Sequence, residues 1–77
     1  MKSEIQRAVT LANNGNWDKA HQIVQVMNDA TAYWLHANLH REEGDHNNAQ
    51  YWYTRAQQPF SKESLLEERQ RIVASLH

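Results

Sequence analysis

The chain has no cysteine, which excludes disulfides and thiolate metal sites without by itself fixing a compartment. It has one proline, Pro59, and two glycines, Gly15 and Gly44, and these are the positions at which helices are expected to stop. Neither sign of charge dominates: eight Lys plus Arg stand against nine Asp plus Glu, with no long block of either. That balance argues against nucleic acid or an anionic membrane surface as partner. No stretch approaches the ~18 apolar residues of a membrane span. Met1 to Glu4 lead into no apolar signal core, so a cytoplasmic protein is expected. At 77 residues the chain is expected to form a single domain, residues 1–77, burying roughly 60% of its unfolded surface. A core of that size rarely supplies more than about 3–5 kcal/mol, so self-association or a partner would help.

What the chain does have is concentrated between Tyr33 and Ala56, which hold five of the six Trp and Tyr residues and three of the five His. The pattern breaks at Gly44 and Asp45 and resumes on either side with helical spacing, the mark of two helices folded back on each other. In chain order, Ser3 and Gln6 form a capping-box pattern opening a helix with apolar Ile5, Ala8, Val9, Leu11 and Ala12. Asn13, Asn14 and Gly15 end it, and Asn16 is placed to cap a second helix carrying Trp17, Ala20, Ile23, Val24 and Met27. Asp29 is placed to cap a third helix running to about Glu43, and Asp45 a fourth ending near Gln57 or Gln58, before Pro59. A last helix starts at Ser61 or at Ser64, which forms a capping box with Glu67, and aligns Leu65, Leu66, Ile72, Val73 and Leu76.

A shift of 29 residues superposes Ala8 on Ala37, Gly15 on Gly44, Ala20 on Ala49, Val24 on Tyr53 and Met27 on Ala56. Small residues at matched positions let helices approach closely, and the glycine permits a tight reversal. The spacing Ala37, Gly44, Ala49, Tyr53, Ala56 resembles the tetratricopeptide helical hairpin, although the period of that family is ~34 residues and its usual aromatic near the end of the first helix is here His40. The caps, breakers and apolar spacing give an all-α fold of five short helices, and the resemblance implies their arrangement. Two stacked antiparallel hairpins, about 3–28 and about 29–58, would be followed by a terminal capping helix at about 61–76. The run from Trp34 to Ala56 is also similar to a family of small bacterial proteins of unknown function, a resemblance that implies no activity.

Three sets of residues are candidates for function. Trp34, Asn38 and Arg41 share a stripe with Glu42, about 160° from His36 at ~100° per residue. In a tetratricopeptide-like hairpin that stripe would line the concave side, facing Ile5, Val9, Ala12 and Asn13 of the first helix. Such a groove suits an extended peptide or a partner helix. Tyr51 and Arg55 lie one turn apart on the outer side of the fourth helix, opposite Trp52 and Tyr53, and form a second candidate contact surface. His36, His40 and Glu43 fall in a ~60° sector, so two imidazoles one turn apart and a carboxylate can chelate zinc or another divalent metal. This is not the metalloprotease helix, because Ala37 stands where that motif needs Glu. Glu43 opposes the helix dipole where it stands, which calls for a partner, His40 or Arg55.

Catalysis has little support. There is no phosphate-binding glycine loop, no nucleophile elbow and no paired carboxylate with a cleft, and a helical bundle of this size leaves little room to enclose a substrate. The expectation is therefore an interaction module that binds a protein, a peptide or a second copy of itself, with no cofactor. The alternative is a metal-binding or catalytic bundle built on the His36, His40 and Glu43 cluster.

Overall fold

Turn chemistry sets the chain order. The computed structural model describes residues 2–76, with side chains from residue 4 onward, so the expected Ser3–Gln6 capping pair lies outside the described side chains. The described residues form five helices and no strand: α1 Lys2–Asn13, α2 Trp17–Val24, α3 Ala30–Glu42, α4 His46–Ala56 and α5 Leu65–Ala74.

The same reversal closes both hairpins. After α1, Gly15 N–H donates to the Ala12 carbonyl at 3.0 Å and Asn16 N–H to that of Leu11 at 2.8 Å. After α3, Gly44 donates to Arg41 at 3.1 Å and Asp45 to His40 at 3.0 Å. Every donor and acceptor recurs 29 residues on, and both glycines sit at positive φ, +82° and +83°, where a Cβ would be strained. Asp29 caps α3 by accepting from Ala32 N–H at 2.9 Å, and Asp45 caps α4 by accepting from Asn48 N–H at 3.2 Å. Ser64 and Glu67 form the expected capping box, so α5 starts at Leu65 and the chain from Pro59 to Ser64 is not helical. Asn16 holds the N-cap position of α2 without a side-chain bond, and α2 stops at Val24, short of Met27.

α1 packs on α2 and α3 on α4. Seven of the fifteen core residues are alanines, including Ala8, Ala20, Ala37 and Ala49 at 0% exposure, and their size lets the helix axes approach closely. Ile5, Val24, Leu35, Leu39, Tyr53 and Ile72 fill the space between them.

The last helix departs from expectation. A solenoid cap would extend the array beyond the second hairpin, whereas α5 packs against α1 and α3, across the side expected to stay open. Its buried residues are Glu68, Arg69 and Ile72, while Leu66 is 52% exposed. The buried stripe is Glu68, Arg69 and Ile72, with partly buried Leu65 one turn before it and Val73 packed beside Ile72, so two charges lie on the face turned inward.

α4 ends on Gln57 in the left-handed region (φ +59°, ψ +41°), the position that glycine holds after α1 and α3. Relief of that backbone strain outweighs the added freedom of the unfolded chain, so Gln57→Gly is expected to raise stability by about 0.5–1 kcal/mol. Thermal melting of the two proteins checks this; an unchanged or lower Tm would show that the Gln57 side chain holds more than the strain costs.

Candidate interaction surface and histidine cluster

The groove residues are committed to the fold. Trp34 is 7% exposed and Asn38 0%, and both face α5. The Glu68 carboxylate, itself fully buried, collects donors from two helices. Trp34 Nε1 donates to Oε2 at 3.0 Å, Asn38 Nδ2 to Oε1 at 2.9 Å, Arg41 Nη2 to Oε1 at 2.9 Å, and the Tyr53 hydroxyl lies 2.8 Å from both oxygens. Arg69 extends the network: its Nε donates to Asn38 Oδ1 at 2.8 Å, its Nη1 to Asn13 Oδ1 at 3.2 Å, and it pairs with Glu42. Arg71 lays its guanidinium 5.1 Å from the Trp34 ring. The concave peptide groove expected from Trp34, Asn38 and Arg41 is therefore not open: a buried carboxylate needs these donors, and α5 covers them to provide it. What remains beside Trp34 is a hollow of about 200 Å³, also lined by Ala30, Thr31, Ala56, Gln58 and Ser75.

The network sets its own protonation states. Burial works against the charge on Arg41, but its hydrogen bonds to Glu68 and Tyr53 outweigh this and raise its pKa. Burial, then the Glu68 carboxylate, pushes the Tyr53 phenol above its usual range.

The histidines gather around α3. His36 and His40 stack at 4.9 Å between ring centroids and point toward α2, which adds His21 at 4.8 Å from His36 and 5.3 Å from His40. One ring nitrogen from each lies within 4.8 Å of the others. Trp17 stacks on His21 at 4.8 Å and donates Nε1–H to the Leu39 carbonyl at 2.7 Å, which fixes α2 against α3 beside the cluster. Trp52 stacks on the far side of His36 at 3.9 Å.

The expected trio of His36, His40 and Glu43 is not one ligand set. Glu43 takes up Nδ1 of His40 at 2.5 Å, which answers its need for a partner, and the third imidazole comes from α2. His21 was not singled out from sequence because its partners lie 15 and 19 residues away on another helix; the one available signal was its position one turn after Trp17.

Burial first, then the neighbouring His21 and His40, lowers the His36 pKa from its ordinary 6.5 to about 3. His21 is lowered as well, by burial and then by His40, with Glu43 and Asp18 opposing. Both rings are neutral at pH 7. His36 Nε2 and His21 Nε2 stand 3.1 Å apart with room for one shared proton, and His36 Nδ1 is buried without a hydrogen-bond partner among the described residues.

The outer candidates remain at the surface. Tyr51 is 54% exposed and Arg55 is exposed. The Arg55 guanidinium lies 4.4 Å from the Tyr33 ring, 5.1 Å from Trp52 and 5.8 Å from Tyr51, and it donates to the Tyr33 hydroxyl at 3.2 Å. No carboxylate among the described residues pairs with Arg55. Tyr33 and Trp52, half-buried and packed against the core, complete this patch, so Trp52 lies beside Tyr51 and Arg55 rather than opposite them.

Comparison with protein-family models, with curated proteins and with solved structures found no match.

Two outcomes follow from the buried groups. Glu68→Ala leaves the Arg41 charge and the Trp34 and Asn38 donors without their acceptor and is expected to cost about 3–5 kcal/mol, measured by urea unfolding. A loss under about 1 kcal/mol would mean that water replaces the carboxylate. In metal-free protein, unfolding lets His36 bind a proton that the folded state refuses between pH 6.5 and about 3. Stability should therefore fall as pH drops through that window, by up to about 1.4 kcal/mol per pH unit from this residue. His36→Phe keeps a ring against Trp52 and should flatten the profile relative to wild type; identical profiles would show that the ring protonates in the fold.

Proposed function

We propose that the chain is a small helical interaction module that holds a protein or peptide partner against the outer face formed by Tyr33, Tyr51, Trp52 and Arg55. The observation that carries this reading is Arg55, a surface guanidinium held among three aromatic rings and paired with no carboxylate among the described residues. Cation–π contact orders the side chain in advance, so less freedom is lost when its remaining N–H groups meet an acceptor. Tyr, Trp and Arg are also the residue types that supply most of the binding energy at protein interfaces. The matching partner presents a carboxylate beside an aromatic or aliphatic side chain, and a second copy of this chain meets that description as well as a foreign peptide does.

Two hollows of the surface lie elsewhere: one of about 570 Å³ is lined by Leu11, Ile23, Val26 and Met27 with charged neighbours, and one of about 200 Å³ lies beside Trp34. The exposed, aromatic and cationic character of the patch suits a macromolecular surface better than an enclosed small molecule. No helix among the described residues is long and apolar enough to cross a membrane. The cytoplasmic setting, the tetratricopeptide-like classification and the likeness to small bacterial proteins are part of this proposal and rest on the residue pattern alone.

Selection from a random peptide display library tests the reading. Wild-type protein should enrich peptides that pair an acidic residue with an aromatic or aliphatic one, and Arg55→Ala and Tyr51→Ala should each weaken the selected peptides by about tenfold or more at unchanged helicity. Sedimentation at high concentration identifies self-association through the same two residues. Peptides that bind all three proteins equally would remove the patch from the interface.

A further inference from the structure

Three imidazoles from two helices meet where the interaction surface ends, and the contacts around them have no need of one another. His21 comes from α2, His36 and His40 from successive turns of α3, and one nitrogen of each lies within 4.8 Å of the other two. The 3.1 Å separation of His36 Nε2 and His21 Nε2 is close to the ~3.3 Å between two nitrogens that share a tetrahedral zinc ion at 2.0–2.1 Å.

The ring chemistry suits a cation. His40 donates Nδ1–H to Glu43 at 2.5 Å, the carboxylate–histidine arrangement that fixes the tautomer of a metal ligand and leaves Nε2 with its lone pair. His36 is 4% exposed, and its Nδ1 has no hydrogen-bond partner among the described residues. Its Nε2 meets His21 Nε2, and of two neutral imidazoles so placed only one can donate, so the other nitrogen presents a lone pair and a cation replacing the shared proton would be met by both. Trp17 and Trp52 close the site on two sides, against His21 and His36.

We propose that His21, His36 and His40 form a three-imidazole site for a late first-row divalent transition metal such as zinc, with Glu43 as the positioning residue for His40, and that the ion clips α2 to α3. Nitrogen ligands without thiolate suit zinc, nickel, cobalt or copper, and exclude calcium and magnesium, which take oxygen. The three protein ligands leave a fourth position for water or another small ligand. Neither described hollow is lined by these histidines, so the ion serves as a link between helices rather than as the centre of a substrate cleft. The α1–α2 hairpin and α3 then share an attachment besides their apolar contact. The site is independent of the partner proposed for the outer face.

Calorimetric titration of the chelator-treated chain with zinc chloride, together with the visible absorption of its cobalt(II) form, tests the proposal. Expected are one ion per chain with a micromolar or tighter Kd, tetrahedral cobalt bands, and a rise in Tm on zinc addition. His21→Phe and His36→Phe, which retain a ring against their tryptophans, should each weaken zinc at least about a hundredfold and abolish the cobalt bands. Glu43→Gln should weaken it about 10–100-fold. His46→Ala, on an exposed histidine outside the cluster, should change nothing. If either phenylalanine variant fails to fold by circular dichroism, Glu43→Gln, at a partly exposed carboxylate, carries the same test. Absence of saturable binding up to ~100 μM zinc, or an affinity indifferent to Glu43 and to the cluster histidines, overturns it.

Discussion

A carboxylate with no access to water dictates the shape of this protein. Glu68 can be buried as an anion only where cationic and neutral donors already converge, and Trp34, Asn38 and Arg41 of α3 with Tyr53 of α4 provide that place. Since these donors sit on the inner face of the second hairpin, α5 has to lie across it. Arg69, next in sequence, ties the same helix to Asn38, Glu42 and Asn13, so both hairpins are engaged by adjacent residues of α5. Apolar contact through Ile72 and Val73 would hold α5 against almost any alanine-lined face, whereas a carboxylate met by four donors fits one site and one register.

Much of the framework was legible because it is written in local chemistry. Gly15 and Gly44 mark reversals that repeat bond for bond, and Asp29, Asp45 and Ser64 sit at helix starts whose boundaries their side chains fix. The alanines at matched positions identify the faces that pack. The position of α5 was not legible by the same means. Apolar periodicity aligns Leu65, Leu66, Ile72, Val73 and Leu76 on one side, yet Leu66 is left exposed while Glu68 and Arg69 are buried beside Ile72. A charge inside an apolar stripe is the signal, and it becomes decisive only once the opposing donors are known.

The histidines illustrate the same limit at smaller scale. His36 and His40 are one turn apart, and their convergence follows from helix geometry. His21 joins them only through the packing of α2 on α3, pinned by the bond from Trp17 to the Leu39 carbonyl. Glu43 was read as a third member of the cluster by angle alone, but distance makes it the support of His40. Residue type and phase identified two of the three imidazoles, and tertiary contact supplied the third while changing the role of the carboxylate.

Closing the inner face has a consequence for where recognition can occur. Helical-hairpin arrays expose their concave side because successive units leave it uncovered; here one short helix, tied by charge, fills it with the chain's own residues. Trp34 and Asn38 are thereby buried against α5, and Arg41 is bound to Glu68. Left outside are Tyr51, which is 54% exposed, and Arg55, with the edges of Tyr33 and Trp52. Trp52 belongs to both remaining sites: it stacks on His36 at 3.9 Å and carries Tyr33 and Tyr51 within 5.4 and 5.0 Å. The histidine cluster and the outer aromatic patch therefore lie on two sides of one indole.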